Sequence, residues 1–128
     1  MVYGDGRQVR DVLFVEDLVE AFLAAMTRMA SDSAQAFNIG GGPTNAVSLL
    51  EILDLVAELT GAPTEVRFDA WRPGDQRYYV SDTARFGALT GWRPRVGVAV
   101  GVERLHRWLL ESRPPARARA RKAVSGAR

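Results

Sequence analysis

The sequence predicts a small mixed α/β domain. Short strand candidates, rich in β-branched and aromatic residues, alternate with helices whose apolar residues recur at helical spacing. A length of 128 residues suits one domain with a modest core. The central parallel strands of a complete doubly wound sheet are near-continuous apolar runs, and only residues 12–15 come close to that pattern. We therefore expect the domain to lack most of such a sheet.

The first strand is predicted at residues 9–15, and a helix follows it at once. Asp17 is predicted to cap this helix, because a carboxylate can accept hydrogen bonds from the free amides of a first turn. The apolar face of the helix would comprise Leu18, Phe22, Ala25, Met26 and Met29. Beyond a polar break at residues 31–33, the sequence predicts a second strand at 36–39 and a glycine-rich turn at 40–43.

The run Ser48-Leu49-Leu50-Glu51 predicts a capping box that opens the second helix. This helix would bury one apolar face and end at Gly61. Three short segments are predicted after it: a strand at residues 65–68, a loop at 72–75 and an extended segment at 77–80.

Two further helices are predicted near the carboxy-terminal end of the domain. Asp82 would cap a short one that ends at residue 89. The last helix would place Leu105, Trp108 and Leu109 on one face and end near Ser112. The tryptophans at positions 71, 92 and 108 are interpreted as core anchors.

The composition excludes several kinds of site. The chain has no cysteine, so disulfides, thiolate catalysis and cysteine-bound zinc are excluded. His106 is the only histidine, which excludes a metal site built from several imidazoles. The sequence contains neither an apolar run of about 20 residues nor a signal-peptide pattern. It therefore predicts a cytoplasmic protein with no membrane partner.

The basic residues are concentrated at one end of the chain. Residues 113–128 hold six of the 17 basic residues and no acidic one, so 11 basic residues face 15 acidic ones elsewhere. This tail has almost nothing to bury and is predicted to be disordered. Since the folded part is acidic and the tail has no aromatic residue for stacking, nucleic acid is not an expected partner.

Arginines from two segments are candidates for binding an anion. Arg10 lies in a strand candidate that is apolar apart from Asp11, and Arg72 and Arg77 flank a Pro-Gly turn. A guanidinium group presents a planar fork of donors to paired phosphate oxygens, so two arginines from separate segments could clamp a diphosphate. The alternative is ordinary ion pairing, of Arg10 with Asp11 or Asp17 and of Arg72 with Asp75.

The triple glycine at residues 40–42 has only a weak likeness to a dinucleotide-binding loop. Asn45 stands where a third glycine of that pattern is expected, and no acidic residue follows at a strand end about 20 residues later. A turn that enters a helix is the better interpretation.

Four segments together resemble a known family. They are the run from Gly4 to Asp17, Phe37-Asn38-Ile39-Gly40-Gly41, Arg72-Pro73-Gly74-Asp75, and Asp82 with Gly91-Trp92-Arg93-Pro94. Their order and spacing resemble the carboxy-terminal half of the extended short-chain dehydrogenase/reductase (SDR) family, which holds NAD-dependent nucleotide-sugar epimerases and dehydratases. The resemblance covers about residues 3–110 and is closest to the CDP-paratose (CDP-tyvelose) 2-epimerase branch.

This resemblance implies a sugar-nucleotide-binding domain at residues 1–112, lacking most of the Rossmann sheet, and a separate tail at 113–128. It implies that Arg10 and Arg72 contact the diphosphate of a CDP- or dTDP-sugar. Asp75 would lie beside them and bind the ribose, while Asn38 and Tyr79 would lie near the nucleotide.

The catalytic half of that family is not found in this sequence. There, a glycine-rich loop binds NAD and a Tyr-x-x-x-Lys pair handles the proton. Here the only lysine is Lys122, and no tyrosine has a lysine four residues later. NAD is therefore implied for the complete enzyme and not for this chain alone, which carries no predicted catalytic or metal-binding residue.

We accordingly expect a catalytically incomplete chain that associates with a complementing Rossmann half or with itself. The alternative is a non-enzymatic interaction module, or a remnant, that associates through the surface left by the missing half.

Overall fold

The computed structural model describes residues 1–28 and 35–112. Within these ranges the chain forms strands β1 Val2–Tyr3, β2 Val9–Asp11, β3 Ala46–Ser48, β4 Phe68–Asp69 and β5 Tyr78–Tyr79, and helices α1 Val15–Met26, α2 Leu49–Thr60, α3 Ala84–Thr90 and α4 Val98–Glu111. The predicted mixed α/β class is confirmed. The predicted break at 31–33, the helix residue Met29 and the tail at 113–128 lie outside the described residues.

Strand β2 is the centre of a three-stranded sheet. Strand β3 pairs with it antiparallel on one side, and β5 pairs with it parallel on the other. Arg10 therefore lies between Val47 and Tyr79, on one face of the sheet. Strands β1 and β4 form a separate parallel pair in which Tyr3 is opposite Asp69.

A small aromatic core lies between α1, α3 and the loop that follows α3. Phe86 contacts both Phe37 and Trp92 edge to face, with ring centroids 5.6 Å apart in each pair. Ala21 of α1 is buried in the same cluster. The tryptophan predicted as a core anchor at position 92 does have that role.

Asp17 was predicted to cap α1, and this prediction is wrong. The helix begins two residues earlier, at Val15, and its N-cap Phe14 provides no side-chain cap. Asp17 is instead only 2% exposed, and its carboxylate accepts a hydrogen bond of 2.9 Å from the amide of Val96. Its own carbonyl accepts a 3.0 Å hydrogen bond from the indole N–H of Trp92. Asp17 thus fastens α1 to the 92–96 loop.

The strand predicted at residues 36–39 does not form. Residues 35–39 have no regular secondary structure in the described chain. Phe37 and Ile39 pack on the aromatic core, while Asn38 between them is exposed. The side chains therefore alternate as in a strand, but residues 35–39 join neither of the sheets that the described ranges form. The first strand is also shorter than predicted. It ends at Asp11, and α1 begins at Val15.

Both predicted ends of α2 are confirmed, and the predicted start of α3 is one residue from the observed N-cap. The capping box is present: Ser48 Oγ accepts from the amide of Glu51, whose carboxylate accepts from the Ser48 amide. Helix α2 ends at Gly61 in the left-handed conformation, as predicted. Thr83 is the N-cap of α3, although the Asp82 carboxylate accepts a 2.9 Å hydrogen bond from the amide of Ala84.

One face of α1 is apolar and uncovered. Its side chains recur at helical spacing and each is more than half exposed: Val15, Val19, Phe22, Leu23 and Met26. Phe22 and Met26 lie on the apolar face that the sequence predicts, but this face is exposed. Trp108 on α4, predicted as a core anchor, is likewise 59% exposed. The described part of the chain offers no layer that could cover these side chains.

The carboxylate of Asp11 joins three segments that are distant in sequence. It accepts a 3.0 Å hydrogen bond from the amide of Gly42, and further hydrogen bonds from the amide and hydroxyl of Ser81, which follows β5. Gly40 lies so close that a Cβ there would collide with the Asp11 carboxylate and the Ser81 hydroxyl. Burial raises the pKa of Asp11, but these hydrogen bonds outweigh it and the net pKa is below the ordinary value.

We predict that this carboxylate makes folding sensitive to acid. A group whose pKa is lowered in the folded state contributes stability above its unfolded pKa, about 4, and that contribution is lost as the pH falls through the folded value. Asp11→Asn should lower the free energy of unfolding by about 1–2 kcal/mol at pH 7 and by much less near pH 2. Urea unfolding from pH 7 to pH 2 measures this. Asp54→Asn on exposed α2 is the control, and equal losses at both pH values would contradict the prediction.

A second prediction concerns the buried carboxylate of α1. Asp17→Ala leaves the amide of Val96 buried without an acceptor and should cost about 2–3 kcal/mol of stability. Glu20→Ala, on the exposed side of the same helix, removes only a 3.7 Å surface ion pair with Arg95 and should cost less than about 0.5 kcal/mol. Thermal unfolding of both variants tests this, and similar losses would show that Asp17 is not a tether.

Candidate functional site

A cavity of about 280 Å³ opens on the face of the three-stranded sheet that carries Arg10. Three parts of the chain form it. Strand β2 and its flanks provide one wall, the start of α2 provides a second, and the loop before β5 provides the third. Its lining comprises Gln8, Arg10, Val12, Val47, Ser48, Leu49, Ile52, Arg72, Asp75 and Gln76.

Arg10 is held in place by backbone carbonyls. Its two terminal nitrogens donate hydrogen bonds of 2.7 Å, one to the carbonyl of Val9 and one to that of Gln76. The alternative ion pairs with Asp11 and Asp17 do not form, because those carboxylates bind Gly42, Ser81 and Val96. Each terminal nitrogen of an arginine carries two hydrogens, so each keeps one N–H for another acceptor.

Arg72 approaches the same cavity from the opposite wall. Its Nε donates to the Asp75 carboxylate at 3.2 Å, so this predicted alternative ion pair is present. Its guanidinium carbon lies 4.4 Å from the centre of the Tyr3 ring. Neither terminal nitrogen donates a hydrogen bond to the described part of the chain. The lining thus combines two guanidinium groups with one carboxylate and carries a net positive charge.

The structure therefore brings three of the five predicted site residues, Arg10, Arg72 and Asp75, to one cavity. Tyr79 is paired with Arg10 across the sheet and shares its face, but it is not part of the cavity lining. Asn38 is exposed and is not part of the cavity lining.

Several lining residues were missed by the sequence analysis. Gln8 and Val12 flank Arg10 at a spacing of two residues, which places all three on one face of a strand and could have identified them. Ser48 and Leu49 line the cavity at the start of α2, where the capping box was recognised only as a helix signal. Hydrogen bonds from Ser48 lower the pKa of the Glu51 carboxyl, which keeps this cap ionised.

The glycine loop at residues 40–42 does not fit a dinucleotide. The amide of Gly42 already donates to the Asp11 carboxylate, whose negative charge would repel a pyrophosphate. A Cβ at Gly41 would collide with the backbone at Val12, whereas the space beside Gly42 is open. The loop leads into a single 3₁₀ turn, Pro43–Asn45, and then into β3 rather than directly into a long helix.

Other kinds of site receive no support from the geometry. No group of three or more potential metal-ligating side chains converges within residues 1–28 and 35–112. In the same ranges no helix is long and apolar enough to cross a membrane. A second cavity, of about 250 Å³, lies between the β2–α1 junction and α4 and is lined almost wholly by apolar side chains. It meets the first cavity at Val12.

Comparison with known proteins adds sequence relatives and a shared fold. Residues 1–40 match the NAD dependent epimerase/dehydratase family. A CDP-paratose 2-epimerase of Salmonella typhi is 33% identical over 107 residues, which are 84% of this chain and 32% of that protein. A UDP-glucose 4-epimerase of Mycolicibacterium smegmatis is 37% identical over 101 residues, 79% of this chain and 31% of that protein.

A solved structure shows the same relationship. A UDP-glucuronic acid 4-epimerase of Bacillus cereus, in complex with UDP-4-deoxy-4-fluoro-glucuronic acid and NAD, superposes with a TM-score of 0.72 at 25% identity. The match covers 80% of this chain and 32% of that one. The chain is therefore related in sequence and fold to the NAD-dependent nucleotide-sugar epimerases and dehydratases of the extended SDR family, and it spans about a third of the length of the relatives that it matches.

Proposed function

We propose that this chain is the sugar-nucleotide-binding portion of an NAD-dependent nucleotide-sugar epimerase/dehydratase and is catalytically incomplete as given. The observation that carries the proposal is the convergence of Arg10 and Arg72, from distant segments, on one cavity. Both retain N–H donors that no described residue uses. Two such forks fit the paired oxygens of a diphosphate better than they fit a single anion.

The proposed ligand is a CDP- or dTDP-sugar. In this proposal Arg10 and Arg72 bind the diphosphate and Asp75 binds the ribose, since its carboxylate lies beside Arg72 in the same lining. The similarity to a CDP-paratose 2-epimerase supports the cytidine nucleotide. Tyr79 is kept as an aromatic neighbour of the nucleotide because it shares the sheet face of Arg10. Asn38 is kept near the nucleotide on the family resemblance alone, since it does not line the cavity.

NAD belongs, in this proposal, to the complete enzyme. NAD would supply hydride transfer there, and the matched Bacillus cereus enzyme is described with NAD bound. The sequence has no Tyr-x-x-x-Lys pair, and its triple glycine departs from the dinucleotide-binding pattern at Asn45. We therefore assign this chain the binding and orientation of the sugar nucleotide, with no catalytic residue of its own.

We further propose that the apolar face of α1 is covered by a complementing Rossmann half. The five exposed side chains of that face continue onto α4. A cavity lined by Val15, Leu105 and Trp108 connects the two helices, and a 3.0 Å ion pair joins Glu16 to Arg104. A patch of this kind is typical of an interface, and the chain spans only about a third of its relatives. A purely non-enzymatic module gains no specific support from this patch.

The binding proposal predicts protection by ligand. At about ten times the dissociation constant, CDP-glucose or dTDP-glucose should stabilise the chain by about 1.4 kcal/mol, seen as a higher melting temperature. Arg10→Ala and Arg72→Ala should each weaken binding about tenfold or more, because each removes a charge-assisted contact. Arg104→Ala, an exposed arginine that does not line the cavity, is the matched control. Isothermal titration measures all four proteins.

An absence of protection by CDP-, dTDP- and UDP-glucose at millimolar concentration would refute the binding proposal. Loss of binding in Arg104→Ala equal to that in Arg72→Ala would also refute it, since net charge alone would then explain the effect.

The interface proposal predicts that polar substitutions on the apolar face of α1 reduce the binding of an apolar dye and leave the fold intact. Phe22→Glu combined with Met26→Lys should reduce the fluorescence of a bound apolar dye several-fold while changing the free energy of unfolding by less than about 1 kcal/mol, because both side chains are more than 60% exposed. Glu20→Gln on the same helix should leave dye binding unchanged. Light scattering distinguishes the occupants: a concentration-dependent dimer that the double variant abolishes would identify a second copy and overturn the complementing half.

A further inference from the structure

We propose that Tyr3 is a positioning residue that holds Arg72 ready for the ligand of the proposed sugar-nucleotide site. This inference rests on the proposed function. It concerns a residue to which neither the sequence analysis nor the family likeness gave any role.

Two groups hold Arg72 in complementary ways. The guanidinium carbon lies over the Tyr3 ring, 4.4 Å from its centre, and the Asp75 carboxylate accepts from Nε at 3.2 Å. Neither terminal nitrogen donates a hydrogen bond to a described residue. Both are therefore still available to a bidentate acceptor.

Such support matters because the Arg72 side chain is exposed. It is 61% exposed, and an exposed arginine loses up to about 2 kcal/mol of rotamer entropy when a ligand immobilises it. Part of that cost is met before binding if the ring and the carboxylate already restrict the side chain. Arg10 needs no such help, because two backbone carbonyls already fix its guanidinium.

The position of Tyr3 is itself fixed by the small β1–β4 sheet. Tyr3 is paired with Asp69 in that sheet, and Arg72 follows only three residues after Asp69. The carbonyl of Tyr3 also accepts a 2.9 Å hydrogen bond from the side-chain amide of Gln8, which lines the cavity. The β1–β4 pair thus places the Tyr3 ring close to the segment that carries Arg72. This gives the two-stranded sheet a function at the site.

The other guanidinium–ring contacts in the described chain do not serve the cavity. Arg77 lies 5.1 Å from the Trp71 ring and Arg104 lies 5.6 Å from the Phe14 ring. A further contact joins Arg85 to a core phenylalanine at 5.1 Å. None of these three arginines lines the cavity. The contact between Arg72 and Tyr3 is the shortest of the four. Among these four arginines, only Arg72 lines the cavity.

The test compares Tyr3→Leu, which removes the ring, with Tyr3→Phe, which keeps it. Isothermal titration with CDP-glucose and dTDP-glucose should show about threefold to fivefold weaker binding for Tyr3→Leu, and binding close to wild type for Tyr3→Phe. In a chain that already carries Arg72→Ala, Tyr3→Leu should have no further effect. Arg77→Ala, which removes a stacked arginine outside the cavity, should leave the affinity unchanged.

A second measurement needs no ligand. Relaxation of the ¹⁵N nucleus in the Nε–H group of Arg72 should show greater mobility in Tyr3→Leu than in the wild type or in Tyr3→Phe. Thermal unfolding of each variant confirms that the fold is kept.

The possible failures can be told apart. If the wild type binds no nucleotide sugar, the proposed function fails, and the relaxation data still decide whether the ring restrains Arg72. If the wild type binds and Arg72→Ala binds more weakly, but Tyr3→Leu binds like the wild type, the proposed function stands and the role of Tyr3 is refuted. Equal weakening by Tyr3→Leu with and without Arg72 would also refute it, because the effect would not act through the arginine.

Discussion

The carboxylate of Asp11 is the interaction on which the arrangement of the site depends. It receives hydrogen bonds from Gly42 in the glycine loop and from Ser81 beyond β5, while its own strand carries Arg10 on the opposite face. One ionised group therefore aligns the central strand with two segments that are distant in sequence. The close approach of Gly40 shows how little freedom remains around this junction. The strand that forms one wall of the cavity is thereby fixed, through its opposite face, to the glycine loop and to the segment beyond β5.

The fold class and the local signals were readable from the sequence because their causes are local. A capping box needs only Ser48 and Glu51, three residues apart, and a helix stop needs only Gly61. The failures involved tertiary partners. Asp17 looked like a cap, yet its carboxylate binds an amide that lies far along the chain. Residues 36–39 have the composition of a strand, but strand formation requires a neighbour that the described chain does not place there.

The candidate site was partly predictable, because some of its residues can be recognised by their chemistry. Arg10 and Arg72 were recognised by their chemistry, and the structure brings them to one cavity with Asp75. Periodicity along β2 could have added Gln8, because it lies two residues from Arg10 on the same face. The support of Arg72 by Tyr3 was not predictable, since no sequence pattern shows that β1 and β4 pair in parallel.

The apolar face of α1 has a consequence for how the stability of this chain is understood. Anything that covers that face binds the folded chain and has no comparable surface to bind once the helix has unfolded. By thermodynamic linkage, the melting temperature then rises with the concentration of the covering molecule. The free energy of unfolding measured in dilute buffer is thus the lower end of a range. The stability of the chain within that range depends on the concentration of the molecule that covers the α1 face and on its affinity.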